Sequence, residues 1–231
     1  MSSERVGIIC AMTKEAEGII SAMTDVKTEK ISGITFNIGK IKGKDAVVAV
    51  CGIGKVFAAI CAQTMIIKYT PDININSGVA GGLSSELEIG DIALATSLVQ
   101  HDMDTSPLGD PKGLISGINI INLPCDGDVT DRLEKACLGE GVNVVRGVIA
   151  SGDRFIAENK DKDFIRTEFG AVACEMEGAS VGQVCYVNNV SCAVMRAISD
   201  GGDDSASIDY PTFAKMAAER AIRVILRFFE D

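Results

Sequence analysis

The chain has 231 residues, with 22 Lys and Arg against 32 Asp and Glu, a formal charge of −10. That balance, with no tryptophan and only scattered lysines, argues against nucleic acid as a partner, because phosphate contacts need grouped cations. No apolar run is long enough to span a bilayer, and Met1-Ser2-Ser3-Glu4-Arg5 lacks the basic start and hydrophobic stretch of a secretory leader, so the expected compartment is the cytoplasm.

Val6 to Ala11 is a short apolar run suited to a central strand. Thr13 is placed to cap a following helix with Ala16, Ile19, Ile20 and Met23 on its apolar face. Thr35–Ile38 and Ala46–Val50, split by Lys42-Gly43-Lys44, predict a hairpin and therefore a mixed sheet. A helix is expected from about Val56 to Lys68, then a strand from Ile73 to Asn76. Ser77-Gly78-Val79-Ala80-Gly81-Gly82 reads as a glycine-rich turn beyond that strand.

Ile92–Ser97 and Asn143–Ala150 predict further strands. Between them Gln100 to Asp128 is long for a structureless loop, which signals a functional loop or an element not yet resolved. Val172–Cys174 and Cys192–Ala197 supply the last strands, separated by a helix from about Ala179 to Tyr186. A closing helix takes Pro211 in its first turn and repeats Ala214, Ala217, Ala218, Ala221, Ile225 and Phe228 at helical spacing. The expected architecture is one α/β domain over residues 1–231, three layers with a central mixed β-sheet flanked by helices. Of eight cysteines, Cys10, Cys51, Cys174 and Cys192 lie in or beside strand-like apolar runs and Cys61 and Cys185 in helix-like ones; with no Cys-x-x-Cys pair they read as reduced, buried thiols.

Acids mark the candidate chemistry. Glu15 follows the first strand at the mouth expected for a ligand, or is a solvated acid favoured by the first turn of a helix. Glu175 and Glu177 would point to one side of an extended segment, where a carboxylate can hold adjacent sugar hydroxyls. As acids at a helix start they carry no such task, and a metal clamp lacks a third ligand nearby. Asp200 ends a strand that also bears Arg196 and Ser199. It serves as a general acid if burial raises its pKa, with Ser199 fixing its geometry; alternatively it forms a structural ion pair with Arg196. The two glycine-rich segments match neither a Walker nor a dinucleotide fingerprint, which leaves tight turns and close backbone approach. His101 is the chain's single histidine and reads as a loop residue, while Phe155 and Ile156 suit either the core or the face of a purine.

Taken in order, Gly7-Ile8-Ile9-Cys10-Ala11-Met12 with Glu15, Gly52-Ile53-Gly54-Lys55-Val56, Ala80-Gly81-Gly82, Gly90-Asp91-Ile92, His101-Asp102, Ser151-Gly152-Asp153 with Phe155-Ile156, Glu175-Met176-Glu177 and Arg196-Ala197-Ile198-Ser199-Asp200 resemble one family. It is the 5′-methylthioadenosine/S-adenosylhomocysteine nucleosidases, which have a nucleoside phosphorylase-like fold. The resemblance implies hydrolysis of the N-glycosidic bond of adenine nucleosides, with no cofactor or metal. It gives Glu15 the attacking water and Asp200 the proton for adenine N7. Glu177 would hold ribose hydroxyls above Met176, Arg196 would help place the water, Phe155 would stack on adenine, and the backbone of Ile156 would read the base edge.

Met12, Ile53, Gly81, Thr105, Ser199 and Tyr210 complete the implied substrate pocket, and a homodimer is implied in which the neighbouring subunit closes the 5′ end. Three departures touch that 5′ end and the water: Val79 in place of a frequent serine, Thr105 in place of a more apolar residue, and an unusual segment from Thr105 to Ser116. A purine nucleoside phosphorylase and a non-catalytic adenine-nucleoside sensor are the competing readings. The first lacks a cationic site for phosphate near Glu15, and the second does not need both a water activator and a proton donor.

Overall fold

Val6–Cys10 forms β1, buried along its whole length as an unbroken apolar run between two neighbours should be. It lies parallel to β4 (Lys44–Val50) on one side and to β5 (Ile73–Gly82) on the other. The expected hairpin joins β3 (Ile34–Ile41) to β4 through Lys42 and Gly43, both at positive φ, as a tight hairpin turn requires. An edge strand, β2 (Met23–Ile31), pairs with β3 and is exposed except at its ends. The sequence does not announce β2, because a charged edge strand with no buried face carries no apolar alternation. The computed structural model describes residues 4–230; Met1, Ser2 and Ser3, part of the segment weighed as a leader, and Asp231 lie outside the described residues.

The expectation of a turn at Ser77–Gly82 is overturned, since β5 continues through all six residues. Its glycines serve close approach instead. A Cβ on Gly78 would stand 2.8 Å from Glu15 Oε1, and one on Gly81 would stand 3.0 Å from Asp200 Oδ1. β5 is also the node of the sheet. It pairs with β1, with β9 (Ala171–Glu175) and with β10 (Ser191–Asp200). β6 (Ile92–Gln100) and β8 (Val144–Ser151) link β10 back to β9, so five strands close into a ring. Three of its pairings are parallel and two, β10 with β6 and β5 with β9, are antiparallel, giving the mixed sheet foreseen.

Helices cover both faces. α1 (Thr13–Ser21), α3 (Gly127–Gly139) and α6 (Ala206–Phe228) share one apolar cluster with the sheet, while α2 (Lys55–Tyr69) and α5 (Gly178–Asn188) share another. Thr13 begins α1 rather than capping it; Met12 occupies the cap position. Pro211 lies inside α6, which starts at Ala206, so its missing N–H removes one early backbone bond and places Tyr210 within the helix. Gln100–Asp128 resolves into a 3-10 turn at Ser106–Leu108, a bridge between Ile115 and Ile120, the two-residue β7 (Leu123–Pro124) and the start of α3, capped by the Asp126 side chain. α4 (Asn159–Phe169) was not foreseen and buries only Ile165. Among the described residues no helix is long and apolar enough to cross a membrane.

Phe36 on β3 is fully buried and its ring lies 5.3 Å from that of Tyr69 on α2, which ties the hairpin extension to the helical layer. Phe36→Ala is expected to lower folding stability by about 3–5 kcal/mol, measured by urea denaturation.

Candidate active site

The carboxyl ends of β1, β4, β5, β9 and β10 converge on a cavity of about 250 Å³. Glu15 reaches it from the first turn of α1, yet is only 2% exposed, so it is no solvated acid. The Met12 N–H donates to its Oε2 at 2.8 Å and the Val79 N–H to its Oε1 at 3.1 Å. Burial raises its pKa against the opposing effect of these bonds and of Arg196.

Asp200 reaches the cavity from β10, whose pairing with β5 shifts register between Ile198 and Asp200. The expected Arg196–Asp200 ion pair does not form, because four residues of extended strand span roughly 13 Å and the Arg196 guanidinium is taken by Glu175. The Ser199 hydroxyl donates to Asp200 Oδ2 at 2.8 Å and the Gly202 N–H to Oδ1 at 2.9 Å. Burial raises the Asp200 pKa, and Asp203 and Asp209 push it the same way.

Arg196 is 1% exposed and does not line the cavity. Its guanidinium pairs with Glu175, donates to Asn76 Oδ1, and donates to the Asn76 carbonyl at 3.0 Å. Glu175 also accepts from Ser151 and from the Glu177 and Gly178 N–H groups at 3.0 and 2.7 Å, which fixes the start of α5. Burial alone would raise the Glu175 pKa; Arg196 and these donors hold it below the usual carboxylate value. β9 ends at Glu175, so Glu175 and Glu177 do not share one side of a strand. Glu177 turns into the cavity, accepts from the Gly54 N–H at 2.8 Å and stands 4.0 Å from Arg196. Its pKa is pushed up to about 7 by burial and then by the Glu175 charge.

Met12, Ile53, Gly81, Phe155, Ile156, Met176, Ser199 and Tyr210 also line this cavity. Phe155 and Tyr210 meet edge to face at 5.5 Å. Thr105 lies elsewhere in the chain's own fold, its hydroxyl donating to Asp110 Oδ2 at 2.8 Å. His101 is buried beside the Gly152 backbone, outside the cavity, and burial lowers its pKa. Such a cavity, with acids at several points and aromatic and thioether walls, can position a neutral aromatic base joined to a polyhydroxylated ring.

Residues 5–230 match the phosphorylase superfamily. The 5′-methylthioadenosine/S-adenosylhomocysteine nucleosidase of Shewanella loihica is 35% identical over 225 residues, covering 96% of this chain and 97% of the relative. The chain belongs to this nucleosidase family. Its members are hydrolases of N-glycosidic bonds. A Helicobacter pylori nucleosidase, an Asp-to-Asn mutant with 5′-methylthioadenosine in its active site, superposes with a TM-score of 0.95 at 33% identity, covering 100% of this chain and 99% of that one. A futalosine hydrolase of the same organism gives a TM-score of 0.94 at 32% identity, covering 99% and 98%. Neighbours of one nucleosidase-type fold therefore carry different substrate names.

Sequence reasoning missed the groups behind the nucleosidase cavity. Asn76 holds Arg196, and Ser151 both donates to Glu175 and accepts from the Ala179 N–H at 2.7 Å. A polar residue inside an apolar strand, as in Ile73-Asn74-Ile75-Asn76, is the signal that could have found the first. Gly78 was visible as a glycine, but its closeness to Glu15 depends on chain segments far apart in sequence.

Glu175→Gln leaves Arg196 buried without its counter-charge and is expected to lower stability by about 3–5 kcal/mol, read by denaturation at neutral pH. Glu177 behaves oppositely. Its raised folded pKa gives stability that is complete below the unfolded value of 4.5 and is lost as pH rises through about 7. Glu177→Gln should therefore gain about 1–3 kcal/mol over the parent at pH near 8, gain little at pH near 4.5, and lose activity.

Proposed function

We propose that Glu15 and Asp200 are the base and acid with which the chain hydrolyses 5′-methylthioadenosine, S-adenosylhomocysteine and related adenine nucleosides to adenine and a 5-substituted ribose. The observation that carries this reading is that two buried carboxyls, both with weakened acidity, face one cavity that also holds Glu177. Adenine leaves poorly as an anion, so N7 must be protonated as the bond breaks. Asp200 keeps its proton closer to neutrality than an exposed aspartate does, and the Ser199 and Gly202 bonds fix its direction. The ribose becomes oxocarbenium-like and must be met by water. Glu15, held at both oxygens by backbone N–H groups, orients that water and takes its proton.

Glu177 binds ribose hydroxyls with the oxygen not occupied by Gly54, above Met176. Phe155 stacks on adenine and the Ile156 backbone meets its edge. Arg196 acts from behind, keeping Glu175 and Glu177 in place rather than touching the sugar. Phosphate is disfavoured as the nucleophile, because Glu15 and Glu177 repel it and the nearby buried cation is already paired.

The chain works as a homodimer in this reading. Ile53, Val56, Phe57 and Ile60 around the start of α2 and Leu108 after β6 are large exposed apolar side chains, and Ile53 also borders the cavity. A second copy over this face would close the 5′ end and bring its Thr105–Ser116 segment to the pocket. Eight free cysteines fit a cytoplasmic setting.

Wild-type protein should release adenine from 5′-methylthioadenosine at a rate independent of added phosphate. Glu15→Gln and Asp200→Asn should each lower kcat by about 10²–10⁴-fold, followed by chromatography of free adenine. Full activity in either variant would remove that residue from the mechanism.

A further inference from the structure

Once base and ribose are assigned to Phe155, Asp200 and Glu177, the large lining side chains still without a role include Met12, Ile53 and Tyr210. The first two suit a thioether or alkyl chain. Tyr210 is different, because its ring lines the cavity while its hydroxyl sits between two other groups. Lys14 Nζ donates to Tyr210 Oη at 3.2 Å and lies 4.7 Å from the ring centre. The Tyr210 hydroxyl in turn stands 3.3 Å from Met12 Sδ, a weak acceptor that holds it loosely.

Lys14 is half-buried and forms no ion pair among the described residues. The other cations at or near the cavity are already engaged, Arg154 in its lining with Asp161 and Arg196 behind it with Glu175. Lys14 is not itself a lining residue, but its ammonium is bonded to the hydroxyl of Tyr210, which is, and an ammonium with no carboxylate of its own in that place is a site for an acid brought from outside. The cavity interior cannot take such an acid, since Glu15, Glu177 and Asp200 gather there. The mouth can.

We propose that Lys14 and the Tyr210 hydroxyl form a subsite for a carboxylate at the end of the 5′ substituent, so that adenine nucleosides with an acidic 5′ chain are preferred over those with a neutral one. This rests on the nucleosidase reading above. A carboxylate reaching the mouth accepts from Lys14 Nζ and from the Tyr210 hydroxyl, which turns away from Met12 Sδ to donate. Glu177 and Asp200 meanwhile handle sugar and base as before.

The test compares three probes on the full chain: 5′-methylthioadenosine, 5′-butylthioadenosine and 5′-carboxypropylthioadenosine. Lys14→Met keeps the aliphatic stem over the Tyr210 ring and removes only the charge. It should lower kcat/KM for the carboxylate probe about 5- to 10-fold relative to the butylthio probe, mainly through KM, and Lys14→Arg should restore most of that ratio. In wild type the same ratio should fall as ionic strength rises from about 0.01 M to about 1 M. An unchanged ratio in Lys14→Met, or equal losses on both probes, overturns the subsite. Failure of wild type to release adenine from any probe overturns the nucleosidase reading beneath it.

Discussion

The buried pair of Arg196 and Glu175 is the interaction on which the site is built. Taking both charges out of water is expensive, and their attraction offsets that cost with the help of neighbours that bond both terminal guanidinium nitrogens or the carboxylate, although Arg196 Nε is left without a partner. Asn76 from β5, Ser151 from β8 and the first N–H groups of α5 all close on the pair. One charge cluster thereby joins four strands, β5, β8, β9 and β10, and a helix, and its location sets where Glu177 leaves the backbone. Glu177 is held at a higher energy than Glu175 by the same arrangement. The nearer carboxylate takes most of the compensation from Arg196, and the more distant one faces the cavity with its proton affinity raised.

β5 supplies the second constraint. It is a strand interior made largely of small residues, where β-propensity alone would favour branched ones. The reason is spatial. Glu15 presses on Gly78 from the side of α1, and Asp200 presses on Gly81 from β10. Side chains at those positions would push the two carboxyls out of the geometry that their backbone donors define, so the strand gives up side-chain packing for close approach.

Much of this was legible from sequence because the signals were local. The apolar run of β1, the hairpin turn at Lys42-Gly43 and the alanine stripe of α6 each encode their own element. The acids at strand ends were legible as a set, and the order of short segments pointed to the family. What failed had a tertiary cause. Ser77–Gly82 looked like a turn because the carboxyls that demand glycine there come from residues 15 and 200. The Asp126 cap and the buried Val129, Leu133, Ala136 and Cys137 of α3 were present in the sequence but lay in the shadow of a long polar stretch. β2 and α4 bury too little to leave a pattern. The partner of Arg196 is Glu175 at the end of β9, a strand from elsewhere in the chain, which spacing along β10 cannot reveal.

The five-stranded ring of β5, β10, β6, β8 and β9 bears on how the molecule comes apart. A closed circuit of strands has no free edge from which to unzip, so separating the backbone at Gly81 from that at Asp200 means rupturing the circuit itself. Amide protons of β5 and β10 should thus exchange with solvent only through global unfolding, whereas α1 and α6, which bear Lys14 and Tyr210, lie outside the circuit. The acids of the cavity are thus anchored in two ways: Asp200 is carried by the ring itself, and Glu15, on α1 outside it, is tied to the ring by the bond from the Val79 N–H of β5.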